Sequence, residues 1–294
     1  MSRNKSICSG REKEIKITQT MKYAVVVSVS ITDFPALALK EELEKSFGLL
    51  KRLGLDGAEL AIRNPQEIDQ REIFSLLERY QLKVPALGTG QAYVDEGLSL
   101  TAEEKDIRQK ARERLFAHLE LSAQLSAMVI IGLIRGSPEL SQKEDSLKIL
   151  KEELDIICPK AKSLGSPGLL LEPLNRYETS LLNTISEAKE FIEELGSENL
   201  KILADSFHMN IEERDIAGAL RTAGDLLGHI HLADSNRRAP GQGHFNFEGF
   251  FQVLAELSYQ GWLSGEFLPL PTAQESVRMF AEFLGERGLL NVGR

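Results

Sequence analysis

From Met21 onward, short apolar runs rich in β-branched residues alternate with longer amphipathic stretches. The runs are Tyr23 to Val29, Gly57 to Ile62, Val84 to Gly88, Met128 to Ile134, Leu169 to Leu174, Leu200 to Ala204, His229 to Ala233 and Trp262 to Leu268. Behind them come Lys40 to Leu53, Gln66 to Tyr80, Ala102 to Leu125, Gln142 to Lys162, Thr184 to Leu195, Ile216 to Leu227, Phe247 to Leu257 and Thr272 to Leu284. Strand then helix, eight times over, predicts an α/β fold, the (β/α)8 TIM barrel. The runs are continuously apolar, as strands buried on both faces of a parallel sheet must be. A doubly wound open sheet is the competing arrangement. No G-x-G-x-x-G follows the first run, so its dinucleotide-binding form has no support.

At 294 residues the chain fits one such barrel, expected over 21–294 as a single catalytic domain. Residues 1–20 mix Arg3, Lys5, Arg11, Lys13 and Lys16 with Glu12 and Glu14 and contain no apolar segment. They read as a flexible N-terminal tail rather than a secretory signal, with Met21 an alternative start. Hydrophobic residues make up 42%, enough to bury a core. Forty-four acidic against thirty-five basic residues leave a net charge of -9, which repels phosphate backbones and argues against nucleic acid as a partner. Two cysteines, Cys8 and Cys158, are too few for a disulfide framework; a reducing, cytoplasmic setting is expected. No apolar run approaches the roughly 20 residues of a membrane span.

In a barrel of this kind the loops beyond the strands' C-terminal ends build the active site. Four of the last strands end in metal-capable residues: Glu172, Asp205, His231 and Glu266. Their spacings of 33, 26 and 35 residues are each close to one βαβ repeat, so each ligand advances one strand around the rim. A carboxylate after three aliphatic residues, as at Glu172 and Asp205, is costly to bury without a cation or hydrogen-bond partner, and three carboxylates cannot comfortably face one another without a cation. A set rich in oxygen with one imidazole suits Mn²⁺, Mg²⁺ or Co²⁺ better than a structural zinc. Singly, each has a plainer reading: Glu172 as a turn cap, Asp205 as a helix cap before Ser206, His231 and Glu266 as satisfied core residues. Jointly those accidents are improbable. His229 shares the face of His231 one step deeper and reads as a packed or supporting histidine. Glu59, inside the second strand, is a further polar group for the pocket, in a supporting or a catalytic role.

The stretches Leu171 to Glu178, Ala204 to Asn210 and His231 to Arg237, with Asp-x-x-His and His-x5-Arg spacings, resemble xylose isomerase-like barrels of the ketose 3-epimerase group. The likeness continues through Pro240 to Phe245 and on to Glu266. Gly88 to Tyr93, Gly97 to Thr101 and Val129 to Gly136 look more closely like the 5-keto-L-gluconate epimerases of bacterial inositol breakdown, which interconvert that keto sugar acid and D-tagaturonate. The resemblance implies one divalent ion, Mn²⁺ first and Mg²⁺ or Co²⁺ as alternatives, held by Glu172, Asp205, His231 and Glu266. It also implies that Glu172 and Glu266 are the acid/base pair, inverting the carbinol carbon beside a ketone through a cis-enediolate. His208 and Arg237 match positions that bind substrate oxygens, and Glu178 one that supports the catalytic glutamate.

Unaided, these three have plainer readings too: a helix-start histidine, one of a solvated arginine pair, a surface glutamate. Gly241 and Gly243 read as tight-turn glycines rather than a phosphate cradle. A keto sugar acid would want a guanidinium for its carboxylate, and Arg63 and Arg135, each following a strand, are the candidates. The expected partner is a small keto sugar or keto sugar acid, and outer helix faces would allow a homo-oligomer. Competing functions on the same barrel are an aldose-ketose isomerase acting on neutral or phosphorylated sugars, and an inosose dehydratase. An apurinic endonuclease is opposed by the five histidines and the negative charge. A noncatalytic sugar-binding or metal-storage protein would keep the ligands without proton exchange.

Overall fold

The computed structural model describes residues 21–40 and 42–290, so the expected tail at 1–20 lies outside the described residues. Eight parallel strands close into a barrel in sequence order. They are β1 (Lys22–Ser28), β2 (Gly57–Ala61), β3 (Ala86–Gly88), β4 (Met128–Ile131), β5 (Leu169–Leu171), β6 (Leu200–Asp205), β7 (Leu227–Leu232) and β8 (Trp262–Gly265). β1 pairs with β8, for example Tyr23 with Leu263, which completes the ring. The chain is an α/β TIM barrel, as the eightfold pattern predicts.

Alternation along each strand sorts side chains into two environments. Outward residues such as Val25, Leu60, Val129, Leu171, Ile202, Ile230 and Leu263 join the main core beneath the helices. Inward residues form a small apolar plug of Ala86, Ile130, Leu170 and Leu203. Above it the inward positions turn polar: Glu59, His229, His231 and Ser264 are each at most 2% exposed.

Two departures from the expected elements shape the site. β4 stops at Ile131 and not at Ile134, because the chain turns at Gly132 into a short 3-10 helix, Leu133–Arg135. β6 runs directly into a seven-residue helix, Ser206–Glu212, too short for a periodicity argument. Asp205 caps that helix, its Oδ1 accepting from the Phe207 amide at 2.7 Å.

Candidate metal centre and catalytic cleft

Glu172 follows β5, Asp205 ends β6, His231 lies in β7 and Glu266 follows β8, and all four turn inward at the C-terminal rim. One ligand atom from each lies within 4.8 Å of all the others, and all four residues are buried or nearly so. His231 Nδ1 is 3.6 Å from Glu172 Oε1, 3.8 Å from Glu266 Oε2 and 3.9 Å from Asp205 Oδ2. These separations exceed a hydrogen bond, yet match donors that each stand ~2.1 Å from one shared ion. Asp205 Oδ2 and His231 Nδ1 are buried with no hydrogen-bond partner, an arrangement that a cation between them would satisfy. The donor set therefore fits a divalent ion that favours oxygen ligands.

Behind His231 stands Glu59. Its Oε1 accepts from His231 Nε2 at 2.9 Å, and its Oε2 contacts His229 Nε2 at 2.8 Å. The Ser264 hydroxyl lies 3.0 Å from the same His229 nitrogen. A carboxylate on the far nitrogen of an imidazole fixes its tautomer and aims the near nitrogen at the cluster. Both supporting readings, of His229 and of Glu59, thus correspond to a contact in the barrel.

Burial and the neighbouring Glu172 raise Asp205 to about 7, although His231 and Arg237 pull the other way. Burial likewise raises Glu266 to about 8, with Glu172 and Asp205 adding to it against His231 and Arg237. Burial disfavours the His231 cation, but Glu59, Glu266 and Glu172 together hold the imidazole well above its usual value. Burial would lift Glu59 as well; the two imidazoles outweigh it and hold the carboxylate below the ordinary range. So the pocket concentrates more negative charge than its own cations balance comfortably.

His208, in the helix after β6, presents Nε2 to this cluster, 3.7 Å from Asp205 Oδ2 and 4.0 Å from Glu172 Oε1. Its Nδ1 accepts from the Asn175 backbone amide at 3.3 Å and side-chain amide at 2.8 Å. The proton therefore sits on Nε2. Burial, together with Arg237 and His231, pushes the ring well below its usual pKa, so it is a neutral donor. Arg237 reaches in from the loop after β7, donating to Glu266 Oε2 at 3.3 Å and Glu178 Oε1 at 2.9 Å. Its backbone is left-handed at φ 58°, uncommon for a side chain of this size. Buried Asp234 holds that loop by accepting from the amides of Ser235, Gly241 and Phe245. Gly241, at φ 90°, serves the turn, as expected.

The structure does not bring the two carboxylate-reading candidates to the cleft. Arg135 is wholly buried beneath the early end of β4, and its guanidinium donates to the carbonyls of Glu172 (2.6 Å), Gly132 (3.1 Å) and Leu181 (3.1 Å). It braces the loops from the outside instead of facing substrate. Arg63 pairs with Glu96 at 3.4 Å and Glu67 at 3.6 Å and does not line the cleft. The cleft itself is lined by Glu172, His208, His231, Arg237, Glu178 and Glu266. Phe34, Leu37, Leu133, Leu174, Thr89 and Gln91 line the rest. Gln91 and Asn175 lie within stretches whose likeness is legible, yet only the folded contacts reveal what each does.

A buried cluster of three carboxylates and an imidazole, a candidate cation site, stands at the C-terminal mouth of a closed eight-stranded barrel, the end where barrel enzymes carry their active sites. The chain matches the family described as xylose isomerase-like TIM barrel over residues 47–283, and it belongs to that family. The L-ribulose 3-epimerase of Mesorhizobium japonicum is 30% identical over 237 residues, 79% of this chain and 77% of that protein. The 3-dehydro-D-guloside 4-epimerase of Escherichia coli is also 30% identical over 237 residues, 76% of this chain and 86% of that one. A D-psicose 3-epimerase of Enterocloster bolteae reaches 50%, over 91 residues that span 31% of this chain and 30% of that protein. A D-allulose 3-epimerase from Methylomonas sp., solved in complex with D-allulose, shares the fold at a TM-score of 0.76 and 24% identity, covering 92% of this chain and 98% of that one. The relatives are sugar epimerases, and the enzyme class this kinship gives the chain is isomerase.

Proposed function

We propose that the protein is a divalent-metal-dependent sugar epimerase inverting the carbinol carbon beside a ketone. The observation that carries this reading is the convergence of Glu172, Asp205, His231 and Glu266 on one point, with Asp205 Oδ2 and His231 Nδ1 left without partners. Glu172, Asp205, His231 and Glu266 would hold the ion, which would supply Lewis-acid polarisation of the substrate oxygens. Either Glu172 or Glu266 then removes the proton from the carbinol carbon, and the other returns one to the opposite face. In the reverse direction the two exchange roles. Negative charge that develops on the substrate oxygens meets the His208 Nε2–H and the Arg237 guanidinium, both preset by the protein rather than by water. Arg237 also steadies Glu266, and Glu178 steadies Arg237.

Mn²⁺ is the ion proposed, by resemblance, with Mg²⁺ and Co²⁺ able to use the same oxygens. For the substrate, the likeness in Gly88 to Tyr93 and Val129 to Gly136 points to 5-keto-L-gluconate and D-tagaturonate. The charge balance of the cleft favours a neutral ketose: among the described lining residues Arg237 is the one guanidinium, and two carboxylates already hold it. The keto sugar acid is the second reading. Incubating tagatose and tagaturonate in deuterated water with added Mn²⁺, Mg²⁺ or Co²⁺ and following exchange and products by NMR tests the proposal. Deuterium at the carbinol carbon with formation of its epimer is expected; no exchange with any ion or sugar overturns it.

A further inference from the structure

Gln91 lies three residues beyond β3, four strands around the ring from β7 and so across the mouth from His231. It is 1% exposed and lines the cleft, as do Thr89, Phe34 and Leu37. The amide nitrogen donates to Ser28 Oγ at 2.7 Å, and the Ser28 hydroxyl in turn donates to the Ser30 carbonyl at 2.6 Å. A hydroxyl has one hydrogen; with it committed to Ser30, Ser28 can only accept from Gln91. This relay orients the amide, nitrogen toward Ser28 and oxygen away from it. Gln91 Oε1 is buried without a partner. Thr89 does not satisfy it, because its hydroxyl donates to the Ile130 carbonyl at 2.6 Å. Leaving a buried acceptor unpaired is costly, and a donor on a ligand removes that cost.

We propose that Gln91 Oε1 accepts a hydrogen bond from a substrate hydroxyl on the part of the sugar chain remote from the reacting ketone and carbinol, which makes Gln91 a specificity-determining residue. The assignment rests on the epimerase reading above. A carboxylate or phosphate at that point would set anionic oxygen against amide oxygen, and the one guanidinium among the described lining residues, Arg237, is already held by Glu178 and Glu266.

The test measures kcat/KM for wild type and Gln91→Leu on D-tagatose, its 4-, 5- and 6-deoxy analogues and D-tagaturonate, with melting curves to verify folding. Gln91→Leu should lower kcat/KM on tagatose about 10–100-fold. One deoxy analogue, already slow with wild type, should lose nothing further. Ser28→Ala, which frees the amide, should weaken discrimination against the same analogue and serves if Gln91→Leu melts early. Equal losses on every analogue, or loss on tagaturonate with tagatose spared, overturn the hydroxyl assignment while leaving the epimerase reading intact. A wild type inactive on all keto sugars, with any of the three ions, sinks both.

Discussion

The two oxygens of Asp205 do different work. Oδ1 caps the helix Ser206–Glu212, while Oδ2 is left facing the cluster without a partner, so the cap leaves the second oxygen free for the proposed ligand role. The same economy governs Glu59, whose two oxygens take one histidine each. Replacing Glu59 with Gln keeps the shape but exchanges an acceptor for a donor against one imidazole. Affinity for Mn²⁺ should fall about 10–100-fold by calorimetry, while the melting temperature of the metal-free protein moves much less than it would for an emptied core. Unchanged affinity would mean that Glu59 serves packing alone. Glu172→Gln and Glu266→Gln each remove a proton-transfer group together with a ligand charge. Turnover should drop by about three orders of magnitude or more, read as kcat and as deuterium exchange, in proteins that still fold. Either variant turning over at a tenth of the wild-type rate would contradict the acid/base assignment.

At the scale of elements, the end of β4 decides how the cleft is walled. Gly132 lets the strand turn early, and a Cβ there would stand 2.7 Å from Glu172 Oε2. Beyond the turn, Arg135 ties the carbonyls of Glu172, Gly132 and Leu181 together at full burial, and burial lowers its pKa to about 10. Arg135→Met would leave the Glu172 and Leu181 carbonyls without that donor, at about 1–3 kcal/mol each, while Gly132 keeps the backbone amide of residue 135. A drop in melting temperature of about 5 °C or more is expected, alike with tagatose and tagaturonate present. A stable variant that loses only the acid substrate would restore Arg135 to the cleft. The eightfold strand-helix rhythm was legible because buried parallel strands are apolar on both faces, and the cluster of Glu172, Asp205, His231 and Glu266 because each puts a carboxylate or imidazole in or directly after one of the late apolar runs. The turn at Gly132 was not, since Leu133 and Ile134 continue the apolar run unbroken while the backbone has already left the strand. The direction of Arg135 therefore had no sequence signal. Arg63, by contrast, stays near the rim but is claimed by Glu67 and Glu96, partners that adjacency along the chain only half reveals.

For the molecule as a whole, the barrel gives up an apolar interior above its plug to keep a charged cluster out of water. Burial raises Asp205 to about 7, with Glu172 adding to it, and Glu266 to about 8, with Glu172 and Asp205 adding to it, and His231 is raised as well. A group with a raised pKa contributes stability that is fully present below its unfolded value and is lost as pH climbs through the folded one. His208 has the opposite sign, being held neutral, but above its ordinary value of 6.5 it is neutral in folded and unfolded chains alike and drops out. Between pH 6.5 and about 8.5 the metal-stripped protein should therefore melt at steadily lower temperature. A divalent ion binds the deprotonated ligands, so its stabilisation grows across the same interval. At a hundredfold excess over Kd it amounts to about 2.7 kcal/mol, or about 5–10 °C. Melting curves taken with chelator and with Mn²⁺ should thus separate as pH rises, and Glu266→Gln should flatten the chelated curve. Two curves that run parallel across that interval would mean that no ion is bound by these carboxylates.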